Sequence, residues 1–203
     1  MTGPSLAELA QRARAVASRP GRQLLGITGP PGAGKSRLAD RLAEAVTGSM
    51  VIGMDGFHIG HAELERIGRA ERKGAPDTFD RAGFVALLRR LRAETATVYI
   101  PVFDRSIEDS IAAARAVPPE AQLLIIEGNY LLHWPEVRPL LAEVWYLDPP
   151  REQRLAGLAA RHHAFGKPAQ LARDWARGPD ERNAELVAAD REAAELVLGW
   201  GDW

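Results

Sequence analysis

Residues 23–46 read Gln-Leu-Leu-Gly-Ile-Thr-Gly-Pro-Pro-Gly-Ala-Gly-Lys-Ser-Arg-Leu-Ala-Asp-Arg-Leu-Ala-Glu-Ala-Val. Residues 23–28 make a short apolar strand candidate, and 37–46 carry apolar residues at helical spacing. Between them Gly29, Pro30, Pro31, Gly32, Ala33, Gly34, Lys35 and Ser36 fill the pattern G-x-x-x-x-G-K-[ST] at every required position. In that setting the glycines let consecutive backbone N–H groups converge on phosphate oxygens. The helix N-terminus adds its positive dipole end. Lys35 is then expected to bridge the β- and γ-phosphates of a nucleoside triphosphate, with the Ser36 hydroxyl on Mg²⁺. Arg37, directly behind, belongs to the same expected nucleotide site.

Outward from this loop, the chain of 203 residues suits a single domain, with a leading helix in 1–20 and a lid with following helices at about 151–180. It carries 26 Lys+Arg against 27 Asp+Glu, a formal charge of -1. That balance argues against nucleic acid as the main partner. With no cysteine, disulfides, thiol catalysis and Cys-based metal centres are excluded. No apolar run approaches the roughly 18 residues of a membrane span, and the N-terminus lacks a secretory signal. The expectation is a cytoplasmic protein without a membrane partner.

Further strand candidates are 50–54, 97–103, 122–126 and 144–147, with one more at 195–198. Helical patterns at 82–93, 151–165 and 168–191, the last broken near Gly178-Pro179, alternate with them. Such alternation predicts a three-layer α/β/α fold with a mainly parallel five-stranded sheet and a small helical lid. Leu123-Leu124-Ile125-Ile126 is apolar without alternation, as in a strand buried on both faces.

Ligands of such folds gather at the carboxyl ends of the strands, so the polar residues just past each strand matter most. Asp55, in Met54-Asp55-Gly56-Phe57-His58, is placed to accept a hydroxyl proton and orient the oxygen for attack on a γ-phosphate. Glu127, ending an apolar strand before Gly128-Asn129-Tyr130, reads as the acid that holds Mg²⁺. Asp104 and Arg105 either bind the acceptor or pair with each other as a surface ion pair. His58 and Tyr130 complete the expected acceptor site, in front of a polar stretch, 63–77, that suits a substrate cover. In the basic segment 151–167, Arg154 and Arg161 share a helix face about 10 Å apart along the axis. Arg161 is the expected cation over the transferring phosphate. His162 and His163 have no metal-ligand spacing with another histidine.

Taken together, Gly29–Ser36, Asp55-Gly56-Phe57-His58, Lys73-Gly74-x-Pro76-x-x-Phe79-Asp80, Pro101-x-Phe103-Asp104-Arg105, Glu127-Gly128-Asn129-Tyr130 and Arg161-His162 resemble the uridine kinase, phosphoribulokinase and pantothenate kinase superfamily. The bacterial branch of fructose-transport-system kinase-like and nucleoside/nucleotide kinase-like proteins is the most similar. The resemblance covers 22 to about 198. It implies ATP and Mg²⁺, transfer of the γ-phosphoryl group to a hydroxyl of a sugar, nucleoside or pantothenate-like metabolite, an Asp55 base and a lid carrying Arg161. It also implies that Asn183 lies near the nucleotide or substrate. The ending 193–198 has Glu195 where the family usually has Asp.

Two other readings stay open at this stage. One is a nucleoside monophosphate kinase, the other a nucleotide-dependent switch with no small-molecule acceptor. Trp200 and Trp203 leave open either a docked tail or contact with a second copy as a homodimer.

Overall fold

Strand β5 (Leu123–Glu127) lies mid-sheet because both its faces are apolar, and four aliphatic side chains in succession leave no face for water. It pairs in parallel with β1 (Gln23–Thr28) on one side and β2 (Ser49–Gly53) on the other. Next to β1 runs β6 (Glu143–Leu147), followed by β7 (Leu196–Leu198), so the five-stranded parallel sheet has the order β2-β5-β1-β6-β7. This computed structural model describes residues 3–166 and 168–201; Trp203 and Lys167, both part of the sequence expectations, lie outside the described residues.

Alternate side chains of the central strands feed two cores. Leu25, Ile27, Leu123 and Ile125 pack against helices α1 (Leu6–Ala17) and α2 (Lys35–Ala45). Leu24, Leu124 and Ile126 face the opposite layer, whose main helix we number after α3 (His61–Arg66) as α4 (Arg81–Ala93). Each fully buried aliphatic side chain contributes about 1.5–3 kcal/mol, which is why the sheet and its two helical layers form together. The leading helix starts at a capping box in which Ser5 and Glu8 satisfy each other's backbone N–H groups. Arg12 and Arg19 then tie it to Glu143 on β6 at 2.8 and 2.9 Å.

One strand expectation needs correction. Residues 97–103 do not join the parallel sheet. They form β3 (Val98–Asp104), paired antiparallel with β4 (Asp109–Val117) in a separate hairpin, and β7 supplies the fifth main-sheet strand. Its burial alternates, Val98 0% and Ile100 1% exposed against Tyr99 61%, the period-2 mark of a strand with one wet face. The Ser-Ile-Ala-Ala-Ala-Arg-Ala run of β4 escapes notice in the sequence because alanine favours helix and is depleted in strands.

Over the phosphate-loop side lie α5 (Arg151–Ala164), α6 (Ala169–Arg177) and α7 (Pro179–Ala188). The first two share a small apolar cluster of their own around Leu155, Leu158 and Ala176. No helix among the described residues is long and apolar enough to cross a membrane.

Candidate active site

Between β1 and α2 the loop 29–34 turns back on itself through left-handed glycines. Gly34, with φ at 87°, is the N-cap of α2. Gly32 (φ 79°) lies so near α5 that a Cβ there would stand 2.6 Å from the Leu158 side chain. The loop therefore closes against the lid helix only because that position has no side chain. Lys35 opens α2 with its ammonium buried, donating to the Pro30 carbonyl at 3.0 Å. Burial lowers its pKa to about 8, against the opposing pull of Glu127 and Asp55. A buried ammonium beside converging amides suits a polyanion.

The sheet register sets the two acids side by side. Glu127 is level with Ile27 on β1 and with Gly53 on β2, and Asp55 follows two residues beyond Gly53 on the 3₁₀ turn Met54–Phe57. Burial, reinforced by Asp55, raises the Glu127 pKa to about 7, while Lys35 opposes. Ser36 lies close enough to the same carboxylate to help hold its pKa down. A hydroxyl and a carboxylate lining one cleft are hard oxygen donors of the type Mg²⁺ takes, so the residues fit that ion.

The hairpin supplies the opposite wall. A Cβ on Gly56 would meet the Pro101 carbonyl oxygen at 2.7 Å, so β3 lies directly on the Asp55 turn. From the end of that hairpin Arg105 reaches Asp55 at 3.3 Å. The expected alternative of an Asp104–Arg105 pair is thus not what forms. Asp104 instead accepts from the Ser106 amide and hydroxyl at 2.8 and 2.6 Å, stabilising the turn, and is outside the cleft lining.

His58 bonds the Asp55 carbonyl through Nδ1 at 2.8 Å and stacks between Phe79 and Phe103, ring centroids 4.0 and 4.9 Å away. Burial there lowers its pKa, with Asp55 opposing. Tyr130 is wholly buried and does not line the cleft; its hydroxyl donates to the Gly74 carbonyl at 2.6 Å. Burial pushes that phenol's pKa up. Asn183 of α7 donates to the same carbonyl at 3.2 Å and lines the cleft. Stretch 63–77 thus contributes Lys73 and Gly74 to the wall.

The two lid arginines have separate environments. Arg161 projects into the cleft, where desolvation and then the Arg105 charge lower its pKa; an arginine keeps its charge regardless. Arg154 is 4% exposed, donating to the Pro31 carbonyl at 3.4 Å and paired with Glu181 of α7. It joins the loop to the helices above it. Arg37 faces a smaller recess beside the loop, where it bonds the Gly201 carbonyl at 3.1 Å and stacks over Trp200 at 5.4 Å. These two contacts hold the chain near Trp200 to α2, with the Trp200 side chain itself left exposed.

Lys35, Ser36, Asp55, His58, Arg105, Glu127 and Arg161 therefore meet in one cleft of about 400 Å³. Reading the sequence missed the Phe103 platform and the His162–Asp180 pair (2.7 Å), which also line it. Phe103 was legible only as part of the Pro101-x-Phe103-Asp104-Arg105 motif, which does not say that its ring faces the cleft. The His162–Asp180 contact joins two helices whose packing the sequence does not specify.

Comparison with known proteins gives the same frame. No family model matches the chain. A provisionally named uridine kinase of Schizosaccharomyces pombe is 36% identical over 174 residues, 78% of this chain and 74% of that protein. A crystal structure from Silicibacter sp. TM1040, provisionally named a fructose transport system kinase, has a TM-score of 0.89 at 37% identity, covering 98% of this chain and 100% of that one. A pantothenate kinase of Streptomyces coelicolor is 26% identical over 216 residues, 88% of this chain and 65% of that protein.

Proposed function

The chain belongs to the P-loop kinase superfamily that includes uridine and pantothenate kinases and is a small-molecule phosphotransferase with a hydroxyl acceptor, and we propose that it transfers the γ-phosphoryl group of ATP to an alcohol held against Asp55. The observation that carries this reading is the common cleft in which Asp55 and Glu127, on adjacent strand ends, face Lys35 and Arg161.

In the proposed reaction, residues 29–34 and Lys35 cradle the β- and γ-phosphates. Ser36 and Glu127 would hold Mg²⁺, which would supply charge neutralisation to the triphosphate. The acceptor oxygen attacks the γ-phosphorus in line and gives its proton to the Asp55 carboxylate. The bond from phosphorus to the β–γ bridging oxygen breaks, and ADP leaves with that electron pair. Arg161 balances the charge on the transferring group, while Arg105 and the His58 stack orient the carboxylate and the acceptor. Arg37 borders the nucleotide side, and Arg154 ties the lid to the loop.

A carboxylate at the acceptor end supports an alcohol over a nucleoside monophosphate, because a phosphate nucleophile carries no proton that needs a base at neutral pH. The test is an ATP-consumption screen over sugars, nucleosides and pantothenate-like alcohols. Acceptor-dependent ADP formation that Lys35→Ala abolishes is expected. ATP turnover indifferent to every alcohol, or unaffected by Lys35→Ala, would overturn the reading.

A further inference from the structure

The charges in the cleft do not all have partners. Apart from histidines, its cationic lining among the described residues is Lys35, Lys73, Arg105 and Arg161. Arg105 is matched by Asp55. The other three have no carboxylate of the described residues within ion-pair distance. Lys35 and Arg161 face the phosphate loop, where the triphosphate of the proposed reaction neutralises them. Lys73 is left over, on the part of the wall formed by Phe103 and the hairpin turn.

Its position is well defined. The Lys73 ammonium sits 5.2 Å from the centre of the Phe103 ring, against which the His58 ring stacks at 4.9 Å and the Arg105 guanidinium packs at 5.8 Å. Lys73 and Arg105 thus share one aromatic platform, with Asp55 held by Arg105. The backbone next to it is anchored, since the Gly74 carbonyl takes bonds from Tyr130 and Asn183 and the Gly74 amide donates to Thr78 at 2.9 Å. Lys73 itself donates to the Glu108 carbonyl in the hairpin turn. An ammonium has three donors, so two remain for a ligand. Of the acids nearby, Asp109 is bonded to the Ser110 amide at 2.9 Å and lies 3.4 Å from the His61 amide, and Glu108 stands exposed in the turn. His61 has its own partner in Glu65.

A cation on the cleft wall with donors to spare and no carboxylate partner is a ready partner for an anionic ligand, because hydrogen bonds to an ionised acceptor are the strong ones. From this arrangement, and resting on the phosphotransfer reading above, we infer that Lys73 binds a carboxylate or phosphate of the acceptor. The substrate is then an acidic alcohol, with its hydroxyl at Asp55 and its charge at Lys73. A neutral sugar or nucleoside leaves the ammonium unmatched. The lysine acts as a point charge, so it selects for charge and tolerates either anion.

Matched acceptors differing in that one group test the inference, with ATP and magnesium present: glycerate against glycerol, pantothenate against panthenol, ribose 5-phosphate against ribose. The best acid is expected to exceed its neutral partner at least about tenfold in kcat/KM, and the pair that responds distinguishes carboxylate from phosphate. Lys73→Met should raise the acid's KM about ten- to a hundredfold, far more than it lowers kcat, and erase the preference. Lys73→Arg should restore much of it. Equal use of acid and neutral partner by the wild-type chain, or an equal effect of Lys73→Met on both, overturns the charge assignment alone. Turnover that no alcohol stimulates overturns the phosphotransfer reading and this inference with it. The wild-type ratio needs no variant, so it decides even where Lys73→Met fails to fold.

Discussion

Arg105 and Asp55, fifty positions apart, meet at 3.3 Å because the β3–β4 hairpin ends directly over the turn that follows β2. Both side chains keep solvent access, 44% and 34% exposed, so the pair contributes under about 1 kcal/mol to stability. Its place at the cleft gives it another value. Arg105→Gln is expected to leave the urea midpoint within error while lowering kcat/KM for the acceptor about tenfold, as loss of an orienting contact does. A large loss of stability with normal kinetics would make the pair structural.

Gly56 should tolerate no side chain. Because a Cβ would lie 2.7 Å from the Pro101 carbonyl, Gly56→Ala must push the hairpin off the turn. We expect a destabilisation of about 1–3 kcal/mol in urea unfolding, with a fall in acceptor kcat/KM and little change in nucleotide affinity.

The bond from Tyr130 to the Gly74 carbonyl is backed by one from Asn183. Tyr130→Phe removes one donor of the two, so it should cost about 1 kcal/mol or less and raise the acceptor KM modestly. Tyr130→Phe combined with Asn183→Ala orphans the carbonyl, and the double variant should lose more than the sum of the single ones.

Acid should loosen the leading helix first. Burial raises the Glu143 pKa, but hydrogen bonds from Arg12 and Trp145 and the Arg12 and Arg19 charges outweigh it, leaving the folded value below the ordinary 4.5. A folded pKa below the unfolded one means the stabilisation is complete above about pH 4.5 and is lost as pH falls through the folded value. Thermal unfolding from about pH 7 to about pH 4 and below should therefore show a steeper acid decline for the wild type than for Glu143→Gln. Parallel curves would contradict the assignment.

The parts of this molecule that read well from sequence are those whose physics is local. Residues 29–36 announce their loop because each glycine meets a backbone need within a few residues, and Leu123–Ile126 announce a central strand by lacking a polar face. Asp55 and Glu127 follow from the rule that parallel sheets gather ligands at strand ends. The hairpin did not read this way, because Ala112, Ala113 and Ala114 form a strand only through pairing with β3. For the same reason the sequence leaves open whether Asp104 and Arg105 bind the acceptor or pair with each other: Asp104 closes the turn and Arg105 crosses to Asp55, an outcome set by tertiary packing.

In the proposed reaction everything turns on Asp55 taking the acceptor's proton. Asp55→Asn keeps the shape of the side chain and removes the base, so the measurement is its acceptor-dependent kcat beside its KM for ATP. The substitution should lower kcat by about 10²–10⁴ with the ATP KM nearly unchanged; an Asp55→Asn chain that phosphorylates its alcohol at the wild-type rate would contradict that role.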